Sequence, residues 1–342
     1  MSLVKSEKGT ISIDFVHEAL VCLHQGAIDP APLLLGAGIT PELLDTPQSR
    51  VSAAQFAKLW HLITETLDDE FFGMDSHKMK AGSFTLLCHA IVNSDTLERA
   101  LHRALRFLRV LLDDFSGELV IDGTNGDSAR IVVKDNTAYP KRAFAYGTYL
   151  IMLHGLACWI IGRRIPLSQA DFRCTTPSFK AEWEVLFSRN LCFNQPHSGF
   201  SFPAHYLDMK NVQTEQGMKT FLRGAPANFL VRYKNSASLA AKIRRTLRST
   251  SPVDWPDFAS LAQQFHTSEA TLRRRLEDEG QSYRAILSDM RRDIAISLLT
   301  DTQQSVNDIS ATLGFSDPSA FHRAFKNWTN NPPGVYRSKQ QT

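Results

Sequence analysis

The sequence predicts an α+β N-terminal domain followed by an all-α domain that holds two helix-turn-helix units joined by a linker helix. Three observations favour this class. The chain has 342 residues, more than a single hydrophobic core usually supports, so two domains are expected. Short β-prone runs alternate with helical apolar spacing in the first part, and residues from about 236 onward show helical periodicity alone. Within that C-terminal region one residue pattern occurs twice.

We place the N-terminal domain at residues 1–215, a linker at 216–235 and the helical domain at 236–342. The linker assignment rests on weakened periodicity around Gly224-Ala225-Pro226, a combination that interrupts helices. Hydrophobic residues make up 43% and charged residues 21% of the chain, which is typical of folded globular proteins. The five cysteines are scattered, and the N-terminus lacks a signal-peptide pattern, so we expect a cytoplasmic protein.

The elements of the N-terminal domain follow from its two periodicities. Helical spacing covers Ile11–Leu35, Ala53–Leu67 and Phe84–Leu112, and we expect the last helix to restart near Asn93-Ser94-Asp95 from a Ser or Asp cap. The β-prone runs are Gly117–Asp122, Ala129–Lys134, Gln169–Arg173, Asn190–Phe193 and Gly199–Phe202, with a helix near Phe179–Phe187. A hairpin turn is expected at Gly123–Gly126.

One apolar segment raises the question of a membrane. Ala143–Ile161 contains no Asp, Glu, Lys or Arg and approaches the roughly 20 residues that cross a bilayer. Basic pairs flank both ends, and the segment also contains two glycines, two tyrosines and His154, so charge gives it no orientation. We therefore expect a buried core helix and no membrane partner.

The repeat in the C-terminal region has the form of a helix-turn-helix. Phe258–Phe265 and Ser268–Leu276 are short amphipathic helices joined by His266-Thr267. About 48 residues later the pattern recurs, with one extra residue in the turn after Gly314-Phe315. The matching apolar pairs are Leu261 with Ile309, Phe265 with Leu313, Leu272 with Phe321 and Leu276 with Phe325.

The second helix of each repeat carries residue types that read DNA bases. An apolar pair four residues apart anchors one face and leaves polar residues outward. Arginine can bond to both O6 and N7 of guanine, and a Thr methyl group can contact thymine. The predicted base contacts are Thr271, Arg273, Arg274, Ser319, His322 and Arg323, and the predicted phosphate contacts are Lys326 and Arg337.

The segment between the repeats supports tandem binding. Tyr283–Leu299 keeps apolar residues at helical spacing, and such a helix is about 25 Å long at 1.5 Å per residue. It would place both base-reading helices on one face of duplex DNA about one turn apart. From Arg232 onward there are 16 Lys and Arg against 11 Asp and Glu, a net charge of +5, whereas the preceding residues carry −2.

These motifs resemble the DNA-binding region of the AraC/XylS family of bacterial transcription regulators. The resemblance covers about residues 236–337 and is carried by Leu261-Ala262, Thr271–Leu276, Leu313-Gly314-Phe315, Phe321–Lys326 and Pro333–Arg337. Phe172–Phe202 and Phe221–Arg232 are similar to the arabinose-binding-like effector domain of one branch of the family. The resemblance implies a transcription regulator that binds double-stranded DNA and responds to a small-molecule effector. RNA polymerase and a second copy of the chain are further candidate partners, and activation and repression stay open.

The apolar helix offers two further interpretations. Tyr146, Tyr149 and His154 are either core residues or the polar groups of an effector pocket. His154 and Cys158 lie four residues apart on one helix face, which leaves a metal, haem or redox sensor as an alternative, although two ligands fall short of a site. We expect no cofactor.

Enzyme function is the remaining alternative. The sequence contains no G-x-G-x-x-G, P-loop, H-E-x-x-H or G-x-S-x-G motif. A DNA-alkyl-repair enzyme with this helix-turn-helix type would need a reactive cysteine in a basic site, for which Cys174 beside Arg173 is the candidate. We therefore expect the chain not to be an enzyme.

Overall fold

The computed structural model describes residues 10–46, 49–122, 127–225, 239–278, 281–329 and 331–341. They form two compact units. The N-terminal unit comprises the described residues of Asp14–Ala37 and Phe56–Tyr233, and the C-terminal unit those of Met1–Ile13, Gly38–Gln55 and Lys234–Thr342. The division expected from the sequence did not anticipate that two N-terminal segments fold with the C-terminal helices.

A five-stranded sheet lies in the N-terminal unit. Its strands are β3 (Phe115–Asp122), β4 (Ser128–Asp135), β5 (Gln169–Asp171), β6 (Leu191–Cys192) and β7 (Ser198–Pro203), in the order β3-β4-β7-β5-β6. All neighbours are antiparallel except β5 and β6, which are parallel. Ala129, Ile131 and Val133 alternate toward the core, so the period-two pattern of the sequence is confirmed. The expected hairpin turn at 123–126 lies outside the described residues.

The apolar segment is a core helix, as expected. Helix α6 (Ala143–Ile160) is long and apolar enough to cross a membrane, but every one of its residues is buried within the described structure. Gly147 explains part of this burial, because a Cβ atom there would lie 2.1 Å from the Trp183 ring. The absent side chain lets helix α7 (Lys180–Leu186) bring its tryptophan against the backbone of α6.

Other helices of the N-terminal unit depart from the sequence in detail. Ile11–Leu35 is not one helix: a short strand precedes α1 (Ile13–Gln25), and α2 (Ala31–Gly36) starts separately after Pro30, since prolines favour helix starts over helix interiors. The break in Phe84–Leu112 is confirmed by α4 (Ser83–Val92) and α5 (Leu97–Leu111). The cap is Thr96, which accepts a hydrogen bond from the Arg99 amide, rather than Ser94 or Asp95.

Two more α-helices lie largely in this unit. Helix α3 spans Ala53–Leu67, the bounds expected from periodicity. Helix α8 (Glu215–Gly224) occupies much of the segment assigned as a linker, and its first turn is capped by Thr214, which accepts from the Gly217 amide at 3.1 Å. The cap and the buried Met218 and Phe221 make this a packed helix; residues 226–238 lie outside the described residues.

The C-terminal unit is mainly helical. Its helices are α9 (Leu239–Arg248), α10 (Phe258–Gln264), α11 (Glu269–Asp278), α12 (Tyr283–Asp301), α13 (Val306–Thr312), α14 (Pro318–Thr329) and α15 (Pro333–Gln341). One cluster packs the first repeat on the start of α12 through Ile243, Leu247, Leu261, Leu272, Leu276 and Ile286. Ile309, Phe321, Phe325 and Tyr336 are fully buried in the second half.

A two-stranded ribbon belongs to this same unit. Strands β1 (Thr10–Ser12) and β2 (Arg50–Ser52) pair antiparallel. The Thr10 hydroxyl donates to Asp293 Oδ1 of α12 at 3.1 Å. The Tyr336 hydroxyl donates to the Arg50 carbonyl oxygen, so the ribbon is bonded to both α12 and α15.

Candidate nucleic-acid interface and ligand cavity

The first helix of each repeat starts with the same cap. In α10 the Asp257 side chain accepts from the Ser260 amide at 2.8 Å. In α13, 48 residues later, the Ser305 side chain accepts from the Asp308 amide at 3.1 Å. Such caps satisfy an amide that the helix itself leaves unpaired. The duplication therefore extends from apolar positions to the hydrogen bonds that begin the helices.

The turns of the two repeats also correspond. His266 and Gly314 occupy equivalent positions with φ of 50° and 72°. The next amide returns to the preceding helix in both repeats, Thr267 to the Ala262 oxygen at 3.0 Å and Phe315 to the Ser310 oxygen at 3.2 Å. In the second repeat a close contact also favours glycine, since a Cβ atom at Gly314 would lie 3.1 Å from the Pro252 oxygen.

The extra residue in the second turn is confirmed by the caps of the second helices. Ser268 Oγ accepts from the Thr271 amide at 3.3 Å, and Asp317 Oδ1 accepts from the Ala320 amide at 2.8 Å. Pro318 is the first residue of α14, where its missing N–H costs nothing. We call α11 and α14 the recognition helices.

The recognition helices bury their apolar pairs and expose their polar residues. Leu272, Leu276, Phe321 and Phe325 are each at most 1% exposed. Of the predicted base contacts, Thr271 is half-buried, and the exposed members are Arg273, Arg274, Ser319, His322 and Arg323. Both recognition helices thus present arginine beside small polar residues on an open face.

Local contacts separate these polar residues into two groups. The Thr271 hydroxyl accepts from Ser268 Oγ at 2.9 Å, and the Arg273 guanidinium lies 5.6 Å from the centre of the Phe258 ring. No carboxylate within the described ranges lies at ion-pair distance from Arg274, Arg323 or Lys326. These last three cations are therefore available to an external anion or base edge.

Arg337, a predicted phosphate contact, is half-buried. Its Nε donates to the Leu299 oxygen of α12 at 3.4 Å, and its Nη2 is buried without a partner among the described residues. The side chain lies against the linker helix because α15 packs on α12. The phosphate contact of Arg337 therefore stays a prediction, whereas Lys326 is exposed.

Arg291 of the linker helix α12 is a residue that the sequence analysis missed. Its guanidinium lies 5.4 Å from the Trp255 ring centre and 5.6 Å from the Phe315 ring centre. Its Nε donates to the Leu313 oxygen at 3.1 Å. Burial lowers the pKa of Arg291, although a guanidinium stays charged in proteins. One side chain thus contacts both the segment just before the first helix-turn-helix unit and the turn of the second unit.

Two of the three predicted effector residues of α6, Tyr146 and His154, are hydrogen-bonded within the N-terminal unit. The Tyr146 hydroxyl donates to the Asp135 carboxylate and accepts from the Lys141 amide at 3.0 Å. His154 Nε2 lies 2.9 Å from the Ile165 oxygen, and burial lowers its pKa to about 4. The Tyr149 hydroxyl is buried without a partner among the described residues.

The cysteines give little support to the metal and repair alternatives. Cys158 Sγ lies 3.4 Å from His154 Nε2 and accepts from the Ile165 amide at 3.3 Å. Among the described residues no group of three or more His, Cys, Asp and Glu is placed to hold a metal. Burial raises the pKa of Cys174 to about 11, the opposite of the thiolate that alkyl transfer requires.

A cavity of about 120 Å³ lies elsewhere in the N-terminal unit. Apolar side chains form most of its wall, and the polar lining groups are His61, Thr64, Glu70, Thr85 and Thr148. The apolar lining residues are Trp60, Phe71, Met79, Phe84, Met152, Leu222 and Ala225. Tyr146, Tyr149 and His154 do not line this cavity, whereas Thr148 and Met152 of the same helix do. The lining comes from distant parts of the chain, so no local sequence motif could have indicated it.

The two capped and duplicated units with arginine-bearing faces define a helix-turn-helix transcription regulator that binds DNA. Comparisons with known proteins agree. Residues 28–211 match the family described as the arabinose-binding domain of AraC transcription regulator, N-terminal, and residues 261–339 match a helix-turn-helix domain family. The chain belongs to the AraC family of transcription regulators.

Individual relatives are similar to the chain over different lengths. The ornithine utilization regulator of Pseudomonas aeruginosa is 26% identical over 328 residues, covering 96% of each chain. The helix-turn-helix regulator VqsM of Pseudomonas aeruginosa is 34% identical over 187 residues, covering 52% of this chain and 55% of VqsM. The crystal structure of CdpR from Pseudomonas aeruginosa aligns with 96% of this chain and 98% of its own at 19% identity and a TM-score of 0.31.

Proposed function

We propose that this regulator reads its operator with the exposed faces of both recognition helices and that a small-molecule effector bound by the N-terminal unit controls it. The observation that carries the DNA proposal is that Arg274 and Arg323, which have no ion-pair partner among the described residues, lie on the open faces of two equivalently capped helices. We assign six residues of the recognition helices to base edges: Thr271, Arg273, Arg274, Ser319, His322 and Arg323. Lys326 is assigned to a phosphate.

The cellular setting follows from the same assignment. A regulator of this family acts where DNA and RNA polymerase are, so we place it in the cytoplasm, with RNA polymerase and a second copy of the chain as candidate partners. The matched families and relatives are regulators of transcription, and we assign no catalytic activity.

The DNA assignment is tested by comparing Arg274→Ala with Lys326→Ala in the full-length chain. Operators are first selected from genomic fragments, and affinities are then measured on the selected and on random duplexes. Arg274→Ala should lose about tenfold to a hundredfold affinity for the selected duplex alone, because one bidentate base contact contributes about 1–3 kcal/mol of discrimination. Lys326→Ala should weaken both duplexes alike and reduce the salt slope by about one unit.

A control variant separates these effects from general loss of positive charge. Arg109→Ala removes an exposed cation of the N-terminal unit and should leave both affinities unchanged. Equal losses on selected and random DNA for Arg274→Ala would contradict its assignment to a base. Absence of any preference for selected DNA in the unmodified protein would refute the proposed function.

A further inference from the structure

We infer that the cavity of the N-terminal unit binds a small organic cation, namely an amine with an apolar body of about five or six non-hydrogen atoms. This inference rests on the proposed function of that unit as an effector sensor. The size follows from the volume of about 120 Å³, since a cavity of about 150 Å³ accommodates benzene.

The sign of the charge follows from the lining. Glu70 is the acidic lining residue, and neither lysine nor arginine lines the cavity. Glu70 Oε1 accepts from the Gly82 amide at 2.8 Å and Oε2 accepts from the Phe84 amide at 2.7 Å. These two bonds fix the carboxylate in place, and each oxygen keeps a further lone pair for an external donor. An ammonium group can donate to it, whereas a carboxylate ligand would meet repulsion.

A second polar group is prepared for a ligand. Thr64 is 7% exposed, and its hydroxyl has no hydrogen-bond partner among the described residues. A buried hydroxyl without a partner costs about 1–3 kcal/mol, and a bound ligand that bonds to it would remove this cost. His61, which also lines the cavity, is already engaged, since its Nε2 lies 3.0 Å from the Ala225 oxygen.

The apolar wall complements a cation with a hydrocarbon body. Trp60, Phe71 and Phe84 contribute aromatic rings to the lining. Aromatic faces attract cations, and this attraction strengthens when both partners are removed from water. Together with the carboxylate they favour an amine over a neutral alcohol of the same shape. Thr85 and His61 are the exposed lining residues and mark the side from which a ligand enters.

The experiment measures binding to the full-length protein without DNA, by calorimetry and thermal shift. The probes are benzylamine and n-pentylamine, with benzyl alcohol and benzoate as the neutral and anionic counterparts of benzylamine. Both amines should bind, benzyl alcohol should bind more weakly and benzoate should not bind. Glu70→Gln should weaken amine binding at least about tenfold, since a hydrogen bond to a charged group contributes roughly 1.5–3 kcal/mol.

Two further variants keep the test decisive. Glu65→Gln alters an exposed carboxylate that lies next to Thr64 on helix α3 but does not line the cavity. This variant should leave amine binding unchanged. Thr64→Val keeps the shape of the side chain and removes only the unpaired hydroxyl, so it tests the site even if Glu70→Gln does not fold; it should weaken amine binding several-fold.

The inference is overturned if neither amine binds, if benzoate or benzyl alcohol binds as tightly as benzylamine, or if Glu65→Gln weakens binding as much as Glu70→Gln. Operator binding is measured separately on the same preparations. Loss of operator preference with intact amine binding counts against the proposed function alone, and the reverse result counts against the cavity alone.

Discussion

At the scale of single residues, Asp135, Asp171 and His154 show two ways in which the N-terminal unit accommodates buried ionisable groups, by ion pairing and by keeping the group neutral. Asp171 and Asp135, both 1% exposed as side chains, accept from Arg130 at 2.5 Å and Arg173 at 2.9 Å. No carboxylate of the described residues forms an ion pair with His154, and burial together with Arg164 lowers its pKa to about 4. A buried imidazole that must stay neutral makes the stability of its unit depend on pH.

We expect His154 to destabilise the N-terminal unit as the pH falls from 7 to 5. Its ordinary pKa is 6.5 and its folded value about 4, so between these values the unfolded chain binds the proton and the folded chain does not. The stability is therefore present above about pH 6.5 and lost as the pH falls toward 4, by about 2 kcal/mol at pH 5. Calorimetry of the wild type and of His154→Gln at both pH values measures the difference.

Glutamine can still donate to the Ile165 oxygen but does not titrate. Between pH 7 and pH 5 the variant should therefore lose about 2 kcal/mol less stability than the wild type. Parallel losses in the two proteins would show that His154 is not the group responsible. The same contact explains why sequence reasoning could not decide the role of this histidine: its neighbours in the sequence are apolar, and its partner Ile165 lies after the end of the helix.

At the scale of elements, the linker helix organises the two helix-turn-helix units. Arg291 reaches Trp255 before the first unit and Phe315 in the turn of the second. Trp255 is itself fixed, because its indole Nε1 donates to the Leu247 oxygen at 2.8 Å. Packing around this half-buried cation therefore connects the linker helix with the segment before the first unit and with the turn of the second unit.

We expect Arg291→Met to weaken operator binding without changing its salt slope. The variant loses the cation–π contacts and the bond to Leu313, which together should cost about 1–3 kcal/mol of stability in the C-terminal unit. Arg291→Lys keeps the charge but not the planar group, so it should recover only part of this loss. Chemical unfolding and salt titrations of DNA affinity measure both effects. An unchanged stability with a flatter salt slope would instead make Arg291 a phosphate contact.

Elements with strong periodicity were the ones that the sequence could predict. Ala53–Leu67, the two strands of the first hairpin, both helix-turn-helix units and the linker helix all have apolar residues at spacings that only one structure can bury. Strands β1 and β2 are three residues long, and an alternation over three residues is too short to indicate a strand, so they could not be found. The direction of Arg337 depends on the packing of α15 on α12, which helical spacing alone does not specify.

At the scale of the whole molecule, the C-terminal unit is discontinuous in sequence. Val51 of the ribbon and Leu43 of the short Pro41–Leu43 helix are fully buried. Their elements contact the linker helix and α15 respectively. The Arg50 Nε donates to the Thr10 hydroxyl at 2.8 Å, and this hydroxyl donates to Asp293, which continues the connection from β2 through β1 to the linker helix.

We therefore expect a fragment of residues 234–342 to be less stable than the same unit in the intact chain. Removing two fully buried aliphatic side chains alone costs about 3 kcal/mol or more, since each contributes about 1.5–3 kcal/mol on burial. The loss also exposes Asp293 of α12 and Tyr336 of α15, the two helices that flank the second repeat. Hydrogen exchange of α12 and α15 in fragment and full chain measures this difference, and added peptide 38–55 should restore part of the protection. Equal protection in fragment and full chain would show that the ribbon contributes nothing to the stability of the DNA-binding helices.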